Sequence, residues 1–314
     1  MKKSNLYYFS LTATILLVFI FSCAEPGAKF TDTPTSGNIK IAVDNSYEPI
    51  IDAEIYTFEA FYKKAKINAK YAQESEVFDL LMNDSVRLII CNRELNKEEK
   101  ANFSARNLKP RITKIAYDAL AIIVHPNNLD TLISMEQLNL IFNEKISSWK
   151  NINPKSDLGK IKIVFDNTES SNARWMREKF LNDKALPENC YAASSHAEVI
   201  DYVSKNKNAI GMIGVNWVSD KDDTLTMSFL KKINMVSLSQ KTNASIDEYY
   251  KPYQAYIKLN QYPLTRNVYI ISREARAGLG TGFASFVAGI KGQQILLKSG
   301  MVPAKMPARI IQMN

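Results

Sequence analysis

The chain has 314 residues, 46% hydrophobic and 23% charged, an ordinary globular composition with apolar material for more than one core. At domain sizes of roughly 100 to 200 residues, that length predicts two modules. A net charge of +8 on scattered lysines, with no arginine-rich run, gives no nucleic-acid footprint, and two histidines with three cysteines supply neither a zinc cluster nor a disulfide framework, so no metal or cofactor is expected.

Lys2 and Lys3 precede an apolar run over residues 6–21, which Ser22 and Cys23 follow directly. The run is shorter than the roughly 20 apolar residues that span a bilayer, so residues 1–22 read as a cleaved export signal. Ile20-Phe21-Ser22-Cys23 resembles a bacterial lipobox, in which the thiol becomes the lipid-bearing N-terminus. Acyl chains on Cys23, at about 0.8 kcal/mol per buried methylene, would hold the chain on a membrane surface of the cell envelope. Losing both lysines leaves a charge of about +6, a mild preference for anions. Residues 23–37 carry Gly and Pro breakers, several Ser and Thr, and no apolar periodicity, so they are predicted to be a tether, with the fold starting at Asn38. Cys91 and Cys190 are expected to be buried and free.

From there the pattern alternates as βαβ units do. Residues 39–43 form an apolar strand. Over 51–65, Ile51, Ile55, Phe58, Phe61 and Tyr62 recur at three- and four-residue spacing, which predicts a helix with one face on a parallel sheet. Strands are predicted at 67–72 and 86–91, with a helix at 76–82 between them. Ligands of open α/β sheets sit beyond the strands' carboxyl ends, so the loops starting at Asp44 and Asn92 are candidate site loops. A strand at 119–124 and a helix at 135–142 lead into a second winding, with a strand at 161–165, helices at 171–181 and 196–205, and a strand at 209–215. The tail returns through a strand at 268–272, a helix from Gly282 and a segment 292–297 closed by Gly300, completing the first lobe.

Two stretches, YDALAIIVHPNN at 117–128 and LISMEQLNLIFNEKISSWKNI at 132–152, resemble the phosphate-binding proteins of bacterial ABC importers. The resemblance lies in an apolar strand ending in a Pro/Asn turn, a helix with Leu138, Ile141 and Phe142, and a turn with Lys145, Ile146 and Trp149. It continues through Ala209 to Gly214, through Tyr262-Pro263-Leu264-Thr265-Arg266, and through Gly292 to Leu296 with Gly300, over nearly the whole mature chain. It implies an α/β architecture of the type II periplasmic-binding-protein fold, with two Rossmann-like lobes joined by two hinge strands. The first lobe would comprise residues 38–118 and 263–314, the second residues 119–262, with the ligand enclosed between them.

The resemblance also implies three ligand loops. Ser46 and Tyr47 stand where relatives present a hydroxyl and a backbone amide to the anion; the plain alternative is a capping Ser in a strand-to-helix turn. Asn92 and Arg93 occupy the second loop, where Arg93 replaces an aspartate that accepts the proton of a monohydrogen anion and would instead supply two parallel donors. A surface ion pair with Glu94 or Glu98 is the alternative there. In the third loop Ser170, Ser171 and Asn172 open a helix whose unpaired amides and partial positive charge make an oxyanion cup. The family's arginine at the start of that loop is Asp166 here. Asp166 must take a proton from the ligand, pair with Arg93 or Arg174, or mark a ligand other than phosphate. Arg174, one turn into the helix, is the candidate replacement cation.

The expected function is a monomeric, lipid-anchored, extracytoplasmic solute-binding protein that captures inorganic phosphate or a related oxyanion for an ABC permease. The alternative is a sensory or adhesive lipoprotein that keeps the fold with an altered pocket. Catalysis is not expected, since Ser170 or Ser171 with His196 lacks both a G-x-S-x-G elbow and a group ordering the histidine.

Overall fold

The computed structural model describes residues 32–219 and 224–307. The export signal, Cys23 and residues 24–31 of the predicted tether lie outside them.

The first lobe is wound around β1 (Ser36–Asp44), which pairs in parallel with β2 (Lys64–Ala72) on one side and β3 (Leu88–Cys91) on the other. The helix Glu48–Phe61, with Pro49 in its first turn, lays Ile50, Ile51 and Phe58 onto one face of this sheet. The helix Glu74–Met82 covers the other face with Val77, Phe78 and Leu81. A further helix, Lys97–Ala105, was not legible in the sequence. It buries only Phe103 and starts from an Asn96/Glu99 capping box, so it carries almost no hydrophobic periodicity.

β4 (Arg111–Val124) is longer than expected, because the sequence disclosed only its fully buried end. The second lobe follows, with β5 (Leu132–Ser134), β6 (Lys162–Phe165), β7 (Cys190–Ala192), β8 (Ala209–Gly214), β9 (Asn234–Met235) and β10 (Ser237–Ser239). β6 pairs in parallel with β7 and β8, and Trp149 lies fully buried beneath them with its indole N–H on the Asn208 carbonyl at 3.1 Å. β11 (Thr265–Ser272) returns antiparallel between β3 and β4, and β12 (Val302–Pro303) closes on β4.

β4 is the shared element. Its residues 111–119 pair with β11, and its residues 120–124 with β8. The chain therefore passes between lobes twice, through β4 near Asp118 and back through the start of β11 near Arg266.

The fold also starts earlier than Asn38. Asp32 is buried, accepts the Leu279 amide at 2.8 Å 247 residues further along, and binds Arg276, so residues 32–37 belong to the first lobe and not to the tether. A contact that distant leaves no local periodicity to read. Next to it a β-carbon at Gly282 would lie 1.8 Å from the Pro34 carbonyl oxygen. Helix propensity alone would favour Gly282→Ala by about 1 kcal/mol, but overpacking against backbone costs about 1 to 3 kcal/mol. The net expectation is a lower urea midpoint for Gly282→Ala, and a raised midpoint would mean that the Pro34 segment yields freely.

Candidate functional site

The carboxyl ends of β1, β3, β6 and β8 meet at the junction of the lobes, where an open α/β sheet exposes strand-end amides and the following helix starts. Around that junction Asp44, Ser46, Tyr47, Glu74, Asn92, Asp118, Asp166, Ser170, Ser171, Asn172, His196, Asn216 and Arg266 are all buried. So many buried polar groups require mutual partners.

The first and third predicted loops do come together. The Ser46 hydroxyl, just after β1, lies 3.3 Å from the Ser171 hydroxyl on the helix Ser171–Phe180 of the other lobe. Two donors from the second lobe, the Asn216 amide at 2.9 Å and the Trp217 indole at 3.2 Å, hold the Ser46 carbonyl. Ser170 is the helix N-cap, its hydroxyl accepting the Ala173 amide at 3.2 Å. Tyr47 points its phenol at Asp118, 3.3 Å away, and burial pushes that phenol well above its usual range.

Arg266 is the hub, and its side chain is 1% exposed. Its Nε donates to Asp118 Oδ2 at 2.8 Å and its Nη1 to Asn172 Oδ1 at 2.7 Å. Burial alone would favour loss of the Arg266 proton, yet Tyr47, Asp118 and Asp44 around it hold the guanidinium above its usual value. Because Arg266 fixes Asn172 Oδ1 as an acceptor, Asn172 Nδ2 faces Asp166 and His196 Nε2, each at 3.1 Å. His196 Nε2 then accepts, which leaves the ring proton on Nδ1, 3.9 Å from Asp166; the ring also stacks on Trp217. Asp166 therefore pairs with neither Arg93 nor Arg174, contrary to both pairings considered from sequence.

Five buried polar atoms around the junction lack a hydrogen bond within 3.5 Å, although Ser171 lies close to the Asp44 carboxyl and Asn92 close to the Tyr47 phenol. Arg266 Nη2 and Asn92 Nδ2 are donors, and Asp44 Oδ2, Asp118 Oδ1 and Asn216 Oδ1 are acceptors. Burial raises the Asp44 carboxyl, with Ser171, Arg266 and the Ser46 amide only partly offsetting it.

Both predicted arginines are engaged by carboxylates. Arg93 lies at the edge of the cluster with its fork spent on Glu99, both bonds at 2.8 Å, and stacks on Phe78 at 3.4 Å from the ring centroid. Its nearest carboxylate belongs to neither Glu94 nor Glu98, because the capping box turns Glu99 back toward the loop; Glu94 supplies only its backbone carbonyl, 3.0 Å from Nη1. Arg174 does reach across the junction, but to Glu74 and Asn92 of the first lobe and to Glu178 of its own helix.

Sequence reasoning missed Arg266, Asp118, Asp44, Glu74 and Asn216 as site residues. Arg266 and Asp118 were inside quoted motifs, but both sit within strands, where a charged residue reads as solvent-facing until the crossover is known. Among the described residues, no group of three or more His, Cys, Asp or Glu side chains is arranged to hold a metal ion.

Residues 28–289 match the family model of the PBP superfamily domain. A phosphate-binding protein PstS of Staphylococcus saprophyticus is 25% identical over 292 residues, covering 91% of this chain and 85% of that protein. Among solved structures, a phosphate ABC transporter substrate-binding protein with bound phosphate from Clostridium perfringens aligns with a TM-score of 0.72 at 21% identity, over 86% of this chain and all of that one. An ABC-type phosphate transport receptor from Vibrio cholerae aligns with a TM-score of 0.64 at 18% identity, over 84% and 99% of the two chains. These relatives are named as binding proteins or receptors, and the likeness of the solved structures is one of fold. With its two lobes, its two crossings and a family match over most of its length, the chain belongs to the PBP superfamily domain family, in the type II periplasmic-binding fold, as a distant homologue of the PstS proteins.

Proposed function

We propose that this protein captures phosphate, or an oxyanion with the same hydrogen-bonding pattern, between its lobes and delivers it to an ABC permease while tethered to the cell envelope through an acylated Cys23. The observation that carries this reading is the convergence of a helix N-terminus bearing Ser170, Ser171 and Asn172, the Ser46 hydroxyl of the opposite lobe, and Arg266 with one buried N–H pair uncommitted. Solute contacts are assigned to Ser46, Tyr47, Asn92, Ser171, Arg266 and, through its backbone amide, Asn172, with Ser170 holding the helix end. Arg93 and Arg174 are left out because carboxylates already engage them.

The unpartnered atoms also constrain the solute. Asp44, Asp118 and Asn216 offer acceptor atoms, so a well-matched anion brings O–H groups as well as oxygens, and a buried acceptor left without one costs about 1 to 3 kcal/mol. Hydrogen phosphates carry such protons near neutrality, whereas sulfate has none. Calorimetric titration of the full chain is expected to give heat with phosphate and at least a hundredfold weaker binding of sulfate. Equal binding of both anions would defeat the reading of Asp44 and Asp118 as acceptors for the solute's O–H groups. A second reading, a sensory or adhesive lipoprotein, draws on the acid-rich junction, where Asp44, Glu74, Asp118 and Asp166 are all buried. Silence toward phosphate, arsenate, sulfate and organic phosphates alike would select it.

A further inference from the structure

The rim of the junction carries a contact that no solute role explains. Glu74 is the first residue of its helix in one lobe, and Arg174 lies one turn into a helix of the other; their side chains are 4% and 18% exposed. Arg174 Nε and Nη2 both bind the Glu74 carboxylate, the latter at 3.2 Å. Nη2 also donates to Asn92 Oδ1 at 2.5 Å, and Nη1 to Glu178 Oε1 at 2.6 Å. Every nitrogen of this guanidinium is therefore engaged, and two carboxylates outweigh its single charge. An approaching anion would meet net negative potential, so Arg174 is poorly suited to receive it.

Glu74 has a second cation on its own lobe, with Arg93 Nε 3.7 Å from the Oε2 atom that Arg174 binds. Parting the lobes would leave Glu74 with Arg93, and Arg174 with Glu178. Neither charge is stranded by opening, which distinguishes this pair from a buried bridge whose rupture costs 3 to 5 kcal/mol. A pair with a fallback partner on each side biases closure without locking it.

We propose that Glu74 and Arg174, with Asn92, form a charge latch across the rim that sets the closed fraction of the protein independently of solute. Glu74 and Arg174 are positioning residues, while Asn92 takes the Arg174 bond on Oδ1 and keeps Nδ2 for the solute. Apparent affinity scales with the population of the binding-competent form, so weakening the latch weakens capture even though neither side chain touches the solute. The inference uses the two-lobe closure of the proposed function but not the identity of the solute.

The test is amide hydrogen exchange on the full chain without solute, comparing wild type with Glu74→Gln, Arg174→Gln and the double variant. Exchange in the segments around Ser46 and Ser171 is expected to accelerate roughly tenfold in each single variant and no further in the double, since both singles break one interaction. The central strand residues 39–43 should keep their protection. Phosphate binding, measured separately, should weaken by a similar factor, mostly through faster release. If a single variant loses protection throughout both lobes, the double variant, which leaves neither charge unpaired, decides by the same readout. Wild-type exchange at the junction in the double variant overturns the latch. Tighter phosphate binding in Glu74→Gln also overturns it, because Glu74 would then be competing with the solute for Arg174. Since the exchange measurement contains no solute, failure of the phosphate assignment leaves it intact.

Discussion

Arg266→Met is expected to cost about 3 to 5 kcal/mol of folding stability and to abolish solute capture, the largest effect of any single substitution at the junction. The methionine fills much of the volume but leaves the Asp118 carboxylate, with a side chain 0% exposed, without the Nε donor that now lies 2.8 Å away. It also frees Asn172, whose orientation sets the partners of Asp166 and His196. Most of the cost is the stranded charge rather than the net value of the pair. The double variant Arg266→Met with Asp118→Asn should therefore recover at least half of the lost stability in urea denaturation while calorimetry still detects no binding. Arg266→Lys keeps the charge but not the planar fork, and should retain more stability than binding. Recovered binding in the double variant would remove Arg266 from the solute contacts.

The second large effect lies away from the junction. Glu54, on the buried face of the helix Glu48–Phe61, is 0% exposed with neither carboxylate oxygen partnered, and burial pushes its carboxyl up to about 8. Its folded-state value thus exceeds the ordinary 4.5, so the folded protein binds this proton more tightly than the unfolded chain. Stability from the neutral form is complete below about pH 4.5, drains away as pH rises toward about 8, and is constant above that. Linkage bounds the loss at roughly 5 kcal/mol, of which local relaxation and water entry should leave about 2 to 4 kcal/mol. Glu54→Met, close in length and free of charge, is expected to be more stable than wild type by that amount near pH 8 and nearly equal to it near pH 5. Thermal melts across this range check it. Parallel wild-type and variant curves would mean that Glu54 is ionised and solvated throughout.

The parts that were legible share a physical cause. Strands β1, β3, β6 and β8 are buried on both faces over most of their length, so they appear as continuous apolar runs, and the helices that cover them bury one stripe at 3.6-residue spacing. The Ser170 cap was legible because a helix start has its own local chemistry. Glu99 as the partner of Arg93 was not legible because it lies on a helix, Lys97–Ala105, that has almost no apolar pattern to announce it.

The amino-acid order alone determined the long buried strands, most of the helices that cover them, and which strand ends open onto a site, because burial patterns and caps are written within a turn or two of each residue. The helix Lys97–Ala105 and the short strands β5, β7, β9 and β10 carry no such pattern. Only the tertiary structure decided which charges meet. Arg266 with Asp118, Arg174 with Glu74 and Asp32 with the Leu279 amide are separated by 148, 100 and 247 residues. Charge pairing over such separations depends on where a crossover strand delivers a side chain in space, and no local periodicity records that.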